Sequence, residues 1–391
     1  VRRRLVIALR VWLVRAGFIA GSILPVRDRV ALATSHADHL SGNLAAIRDE
    51  LGRRSPAIPV VELAYRPAHG LRPRIAAVWH ALRAGFHLAT ARVFVVDDYF
   101  FPIYVIRPRG GTTIVQAWHG CGAFKKFGYS VLDKSFGADE TLLRRVRIHA
   151  NYDVCLVSSA AVVAHYAEAF RLPLDRFRAD LGIPRTDALL DPTRTAGVAE
   201  AVRRRYGVRD DQRVILYAPT FRGESVTDAR FAAGLDLRQL RDGLVGDHVL
   251  FVRLHPFIRD ALTPEPALAG FVIDVSDDPD INELLLAADV LVTDYSSVIF
   301  EFALLGRPMA FFAPDLAEYE GERGFYFDYR TGVPGPVFDG SAALASHLRA
   351  GPFDLERVRA FARASFDVAD GHASARFVDT IVVPALGRRA A

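Results

Sequence analysis

The chain reads as two successive series of short apolar runs alternating with helical stretches. After Pro25, the runs RVALATS, AIPVVELAY, ARVFVVDD, TTIVQAW and YDVCLVSS are β-branched and each is followed by polar residues or glycine, which predicts strands. Between them HLSGNLAAIRDELGRR and RIAAVWHALRAGFHLAT carry apolar residues at helical spacing, with Ser41 and Asn43 placed to cap the first. The second half repeats the theme, with RVILYAPT, HVLFVRLHP, FVIDVS, DVLVTD and RPMAFFAP as strands and NELLLAA and SSVIFEFALLG as helices. Strands alternating with helices predict parallel sheets covered on both faces. The Pro- and Asp-rich stretch LGIPRTDALLDPTRTAG marks the join. The expectation is therefore an α/β protein with domains over 28–187 and 188–391, the second closing with a C-terminal helix. Ligands of such sheets bind beyond the carboxyl ends of the strands, in the cleft between domains.

Residues 1–27 break the pattern. VRRRLVIALRVWLVRAGFIAGSIL is apolar but carries arginines at 2, 3, 4, 10 and 15, so it falls short of the roughly 18 to 20 uncharged residues of a spanning helix. Arg10 and Arg15 also interrupt what would be the apolar core of a signal peptide. The segment reads as a basic amphipathic helix on the cytoplasmic leaflet of an anionic membrane, with Leu5, Leu9, Trp12 and Leu13 in the interface. The competing reading is a helix packed on the protein body or on a partner.

Composition narrows the partners. With 391 residues, 51% hydrophobic and 24% charged, the chain is globular and of two-domain size. A net charge of +4 suits phosphate-bearing ligands or an anionic membrane, and no basic run with interleaved aromatics points to nucleic acid. Two cysteines without CxxC spacing give neither a disulfide framework nor a zinc site. Almost every cation is arginine; the only lysines are Lys125, Lys126 and Lys134, two of them inside QAWHGCGAFKKFG.

The residues after each strand carry the candidate chemistry. They are His119; Pro219 and Thr220 with Arg222; Arg253 with His255; and Asp294 with Ser296 and Ser297. Convergence of these ends would assemble imidazoles, cations and hydroxyls, a set suited to phosphate chemistry. In DVLVTDYSSVIFEFALLG a helix starting near Ser296 would offer its first-turn N–H groups and both hydroxyls to an anion, with Glu301 on the same face for ligand hydroxyls. His119 would be the general base, and His255 with Arg253 would stabilise donor phosphate charge. Gly120 and Gly122 would let the backbone approach the ligand. Asp97-Asp98 and Asp277-Asp278 are not interleaved as D-x-D, Asp98 reads as a turn residue, and Arg185, Arg222, Arg253 and the lysines can supply the charge neutralisation, so neither a metal nor a cofactor is called for.

WHGCGAFKKFG, LYAPTFR, RLHP and above all DINELLLAADVLVTDYSSVIFEFALLGRPMAFFAPDLAEYEGERGFYFDY resemble the CDP-glycerol glycerophosphotransferase family, the teichoic acid primases and polymerases of bacterial cell walls. LSGN at Asn43, GIPRTD around Arg185 and DGHASAR from Asp370 extend the likeness over nearly the whole chain after Pro25. The resemblance implies a GT-B fold of two Rossmann-like domains, a metal-independent reaction at the cytoplasmic face of the membrane, and transfer of glycerol or ribitol phosphate from its CDP conjugate to a lipid-linked or polymeric hydroxyl, releasing CMP. It further implies that His119 and Gly120, continued by Cys121, Gly122 and Ala123, form the catalytic loop. Arg185 would lie at the domain junction, Pro219 and Thr220 beside the donor, Arg253 and His255 at its phosphates, Ser296 and Ser297 at the pyrophosphate, and Glu301 at a position held by Asp in many members. Glycerol-phosphate polymerases of the family carry Thr-Pro after WHG, whereas GAFKKFG is closer to the primase and ribitol-phosphate branches. The chain also lacks the large extra domain of some polymerases, which suits a primase or short-chain transferase. Of the two adjacent lysines, one approaches phosphate and the other meets solvent or lipid headgroups; Lys125 is named as the candidate ligand contact, and the sequence leaves open which of Lys125 and Lys126 it is. Two other classes compete: a GT-B glycosyltransferase or epimerase using a UDP-sugar, and a non-catalytic membrane scaffold. A homo-oligomer is compatible with every one of these readings.

Overall fold

The computed structural model describes residues 2–54, 57–66, 71–132, 143, 146–222, 230–231, 234–254 and 265–387; His255 and Lys134 lie outside them. The first half builds one parallel sheet from Arg27–Thr34 (β1), Val60–Ala64 (β2), Ala91–Val96 (β3), Thr113–Gln116 (β4), Val154–Leu156 (β5) and Phe177–Arg178 (β6), in the order β2-β1-β3-β4-β5-β6. The second half builds another from Arg213–Ala218 (β7), His248–Val252 (β10), Val272–Asp274 (β11), Val290–Thr293 (β12), Met309–Phe312 (β13) and Val337–Phe338 (β14), in the order β11-β10-β7-β12-β13-β14. Phe221–Arg222 (β8) and Arg230–Phe231 (β9) form a small antiparallel pair. The central strands are continuous apolar runs buried on both faces, as parallel sheets under helices require. Every predicted strand is present. The two-residue edge strands β6 and β14 were outside the prediction, because so short a run leaves no period to read.

In the first half, Arg2–Ser22 (α1), Gly42–Arg53 (α2) and Leu71–Thr90 (α3) are the long helices. Ser41 occupies the N-cap of α2 without a side-chain cap bond, and Asn43 is turned inward to other work described below. Helix α1 lies on α3, with Leu13 and Val14 buried. Glycines make the approach close: a Cβ on Gly17 would stand 2.1 Å from the Leu82 carbonyl oxygen, and one on Gly85 2.0 Å from that of Val14. So α1 does pack on the body, and Leu13 faces inward, while Leu5, Leu9 and Trp12 remain exposed.

The predicted linker is a packed junction between the halves. Leu181, Ile183, Thr186 and Asp187 are buried, and the Asp187 carboxylate accepts from the N–H groups of Ala373 and Ser374 at 2.9 and 2.8 Å. It thereby caps the helical segment that starts at Ala373. That segment returns to the first half, where Asp379 pairs with Arg54 at 2.8 Å beside α2. The chain therefore crosses between the halves twice, and the blocks GIPRTD and DGHASAR meet at the crossing.

Candidate active site

The loop after β4 is built under strain and held from several sides. Trp118 adopts φ 55°, a left-handed conformation uncommon for a bulky residue and concentrated at functional sites. Its carbonyl and that of Ala117 accept from Asn43 Nδ2 at 2.8 and 2.9 Å, and its own N–H donates to Gln116 Oε1 at 2.8 Å. The indole is buried and lies against the His119 ring, with centroids 4.4 Å apart. His119 is thus presented from a rigid base, its side chain half exposed. Beyond it Gly122 takes φ +66°, donates to Ser158 Oγ at 3.1 Å and accepts from the Tyr166 hydroxyl at 2.8 Å. A Cβ on Gly122 would come within 2.3 Å of the Phe300 ring. Cys121 and Ala123 are buried, and burial, reinforced by Glu301, pushes the Cys121 thiol well up, so it stays neutral.

The second half closes on this loop. The helix predicted from Ser296 runs Val298–Ala303. The Ser296 hydroxyl accepts from Val298 N at 3.4 Å, whereas Ser297 makes no capping bond and its Oγ lies 3.4 Å from where a Gly120 Cβ would be. Lys126 N donates to the Gly324 carbonyl at 3.1 Å and Tyr326 N to that of Phe124 at 3.0 Å, so the lysine loop is stitched to residues 324–326. A cleft of about 460 Å³ results, with His119, Gly120, Lys125, Lys126, Ser297 and Arg323 among its walls and an aromatic floor of Tyr99, Trp118, Phe124 and Phe127. Both lysines face it. Lys125 Nζ also sits 6.0 Å above the Tyr319 ring, and the stem of Lys126 runs over Gly324.

Other candidates lie behind the cleft. Arg185 bridges the halves: its N–H donates to Asn43 Oδ1 at 2.9 Å, its guanidinium donates to the His119 carbonyl, and its Nε stands 3.4 Å from Glu301 Oε1. Burial opposes the Arg185 charge, and Glu301 together with the weaker pull of Cys121, Asp280 and Asp97 more than offsets it. Glu301 is 3% exposed, so its carboxylate serves Arg185 and not an open ligand surface. Thr220 donates through both N–H and hydroxyl to Asp294 Oδ1 at 2.8 and 2.9 Å, next to the buried Pro219. Arg222 is paired with Asp294 at 3.0 Å and Asp315 at 2.6 Å. Arg253 donates to the carbonyls of Val275 and Ser276 at 3.0 and 2.9 Å and to that of Asp278. These two arginines, expected at phosphate, hold the second domain's own loops together.

Two residues that the sequence reading passed over join the site. Asp98, read as a turn residue, stands with Oδ1 3.5 Å from His119 Nδ1 and Oδ2 2.9 Å from Nδ1 of His36. Burial works to raise the Asp98 carboxyl, and the two imidazoles outweigh it and hold it well below the usual carboxylate range. Its neighbour Asp97 is pushed up to about 6 by burial, with His36 opposing. Both His36 and Asp98 follow strand ends, β1 and β3, and that rule would have found them. Among the described residues no group of three or more His, Cys, Asp or Glu side chains is arranged to hold a metal ion.

Comparison with known proteins agrees over nearly the whole length. Residues 18–383 match the family described as CDP-glycerol:poly(glycerophosphate) glycerophosphotransferase. The chain is 38% identical to a teichoic acid ribitol-phosphate primase of Bacillus spizizenii, over 93% of each protein. It is 34% identical to a teichoic acid poly(ribitol-phosphate) polymerase of the same organism, over 93% of this chain and 57% of that one. Its fold is similar to that of the wall teichoic acid polymerase TagF, in a variant soaked with CDPG, with a TM-score of 0.79 at 23% identity over 98% of this chain and 96% of the other.

Proposed function

Since the chain belongs to the CDP-glycerol:poly(glycerophosphate) glycerophosphotransferase family, we propose that it transfers a polyol phosphate from a CDP-polyol to the hydroxyl of a lipid-linked or polymeric teichoic acid acceptor. The acceptor oxygen attacks the phosphorus bearing the polyol. A new P–O bond forms as the bond to the bridging oxygen breaks, and CMP leaves with that electron pair. His119 Nε2 takes the acceptor proton. The observation that carries this reading is the cleft itself: a half-exposed imidazole on a strained loop that also carries the two lysines, faced by Ser297 from across the domain boundary. Lys125 and Lys126 supply positive charge for the phosphates, and positioning with electrostatics is what such transfers mainly need. The relative matched over 93% of both lengths is a ribitol-phosphate primase, which favours CDP-ribitol as donor.

Replacing His119 by Ala is expected to lower kcat by about 10² to 10⁴. Near-parental CMP release by that variant would overturn the base assignment. Thermal stabilisation by CDP-polyol or CMP and not by UDP-sugars is expected; the reverse preference would favour a sugar-nucleotide enzyme.

The reaction is proposed to occur on the cytoplasmic face of the membrane, with the protein peripheral to it. Supporting this, Leu5, Leu9, Trp12, Ile19 and Ile23 on and just after α1, with Ile75 and Trp79 on α3, are exposed together with the cation Arg4. Helix α1 has the length and apolarity to cross a membrane, yet one of its faces is occupied by α3. Trp12→Ser with Trp79→Ser is expected to weaken binding to anionic vesicles at unchanged melting temperature, and unchanged partition would refute the membrane reading.

A further inference from the structure

The imidazole that would accept the proton is one end of a His–Asp–His chain. Asp98 is held firmly: its Oδ1 accepts from Tyr99 N at 2.6 Å and its backbone carbonyl accepts from Gln116 Nε2 at 3.0 Å, the same Gln116 that braces Trp118. One carboxylate oxygen is 3.5 Å from His119 Nδ1 and the other 2.9 Å from His36 Nδ1. The two rings are edge to face with centroids 6.4 Å apart. A separation of 3.5 Å is longer than a closed hydrogen bond, and such contacts commonly tighten only in the substrate complex. The indole of Trp118 covers the His119 ring, so the imidazole has little freedom other than to present one nitrogen to Asp98 and the other to the cleft.

His36 is differently placed. Its Nε2 lies 3.4 Å from the Thr34 hydroxyl and 3.9 Å from Asp97, so both of its nitrogens face protein groups. It is therefore a support for the carboxylate and not a second base.

We propose that Asp98 is the positioning residue for His119: it holds the Nδ1–H of the imidazole, leaving Nε2 as the atom that takes the acceptor proton, while His36 anchors the other carboxylate oxygen. This rests on His119 being the base. The chemistry is that of an imidazole whose tautomer is set by the hydrogen bond on its far nitrogen. An ionised Asp98 also stabilises the imidazolium that forms during transfer. The hydrogen bond that His36 donates to Asp98 raises the imidazole above its ordinary value, so His36 reports on the carboxylate's charge.

The test uses the full chain and the variants Asp98→Asn, His36→Gln and His119→Ala, with CMP release and nitrogen spectra of the histidines as readouts. Asp98→Asn is expected to lower kcat by at least about 10-fold and by up to about 10⁴-fold with little change in the donor KM, and to cost almost nothing further in the His119→Ala background. Neutral His119 is expected as the Nδ1–H tautomer in the parent and as a mixture in Asp98→Asn, where His36 also titrates at lower pH. If His119→Ala stays active, the base reading fails. If His119→Ala is inactive while Asp98→Asn keeps parental kcat and tautomer, the positioning role alone fails. Should Asp98→Asn fold poorly, His36→Gln decides: a severalfold drop in kcat at unchanged donor KM supports the chain, and parental kcat overturns it.

Discussion

Gly122 is where the His119 loop meets the second domain, and Gly122→Ala is a direct test of how tightly the two are fitted. A methyl group there would lie 2.3, 2.4 and 2.6 Å from three carbons of the Phe300 ring, against about 3.5 to 4.0 Å for ordinary carbon contacts. The ring has little room to give way, being 3% exposed and stacked on Phe361 at 5.2 Å. Overpacking of this kind costs about 1 to 3 kcal/mol, and the φ of +66° adds about 1 to 2 kcal/mol for a non-glycine residue. The sum, about 2 to 5 kcal/mol, corresponds to a fall in melting temperature of roughly 4 to 20 °C for a domain of some 150 to 250 residues. The loop is pinned on either side of this point by Ser158 and Tyr166, so part of the strain passes to His119, where a displacement near 1 Å costs about 10² in rate. Scanning fluorimetry and CMP release measure the two effects. Shrinking the ring should relieve the steric part but not the backbone part, so Gly122→Ala with Phe300→Leu should show a favourable coupling of about 1 to 3 kcal/mol. A Gly122→Ala protein with parental stability and rate, or strict additivity in the double variant, would refute the reasoning.

Three further outcomes follow from the same geometry. The Asp97 carboxyl is raised to about 6, so it favours the folded state in acid and that contribution is lost as pH rises from about 4 through 6. Asp97→Asn should therefore gain up to about 3 kcal/mol over the parent at pH 7.5 and much less at pH 4.5, and an equal difference at both pH values would contradict this. Arg222→Met leaves the buried Asp294 and the partly buried Asp315 without their cation and should cost about 3 to 5 kcal/mol in denaturant unfolding; a raised donor KM at parental stability would instead make Arg222 a phosphate ligand. Lys125→Ala and Lys126→Ala should each weaken donor use, but unequally, because Lys125 holds its ammonium over Tyr319 while the stem of Lys126 runs over Gly324; parental kcat/KM in both variants would return the pair to a solvated surface.

The sheets were legible because their central strands are buried on both faces and so must be written as β-branched runs. That His119 and Ser297 would line one cleft was legible because parallel strands deliver residues to one edge. What escaped was direction and long-range pairing. Arg222 and Arg253 follow strands just as a phosphate ligand would, and nothing local tells a guanidinium aimed at a cleft from one turned onto Asp294, Asp315 or the carbonyls of 275–278. Asp98 looks like a turn residue until β1 and β3 are seen side by side, bringing His36 to it from 62 positions away. Asn43 sits where a cap is expected and serves Ala117, Trp118 and Arg185 instead. The cap on the helix at Ala373 comes from Asp187, so the return of the C-terminal segment to the first domain has no local signature.

The most direct test of the account is CMP release by the full chain from CDP-ribitol and from CDP-glycerol, each with a lipid-linked disaccharide acceptor and each followed by mass measurement of the acceptor. The account predicts CMP in equal amount to the polyol phosphate gained by the acceptor, faster from CDP-ribitol, and nearly abolished in His119→Ala. Absence of CMP from either donor, with turnover of a UDP-sugar in its place, would contradict it.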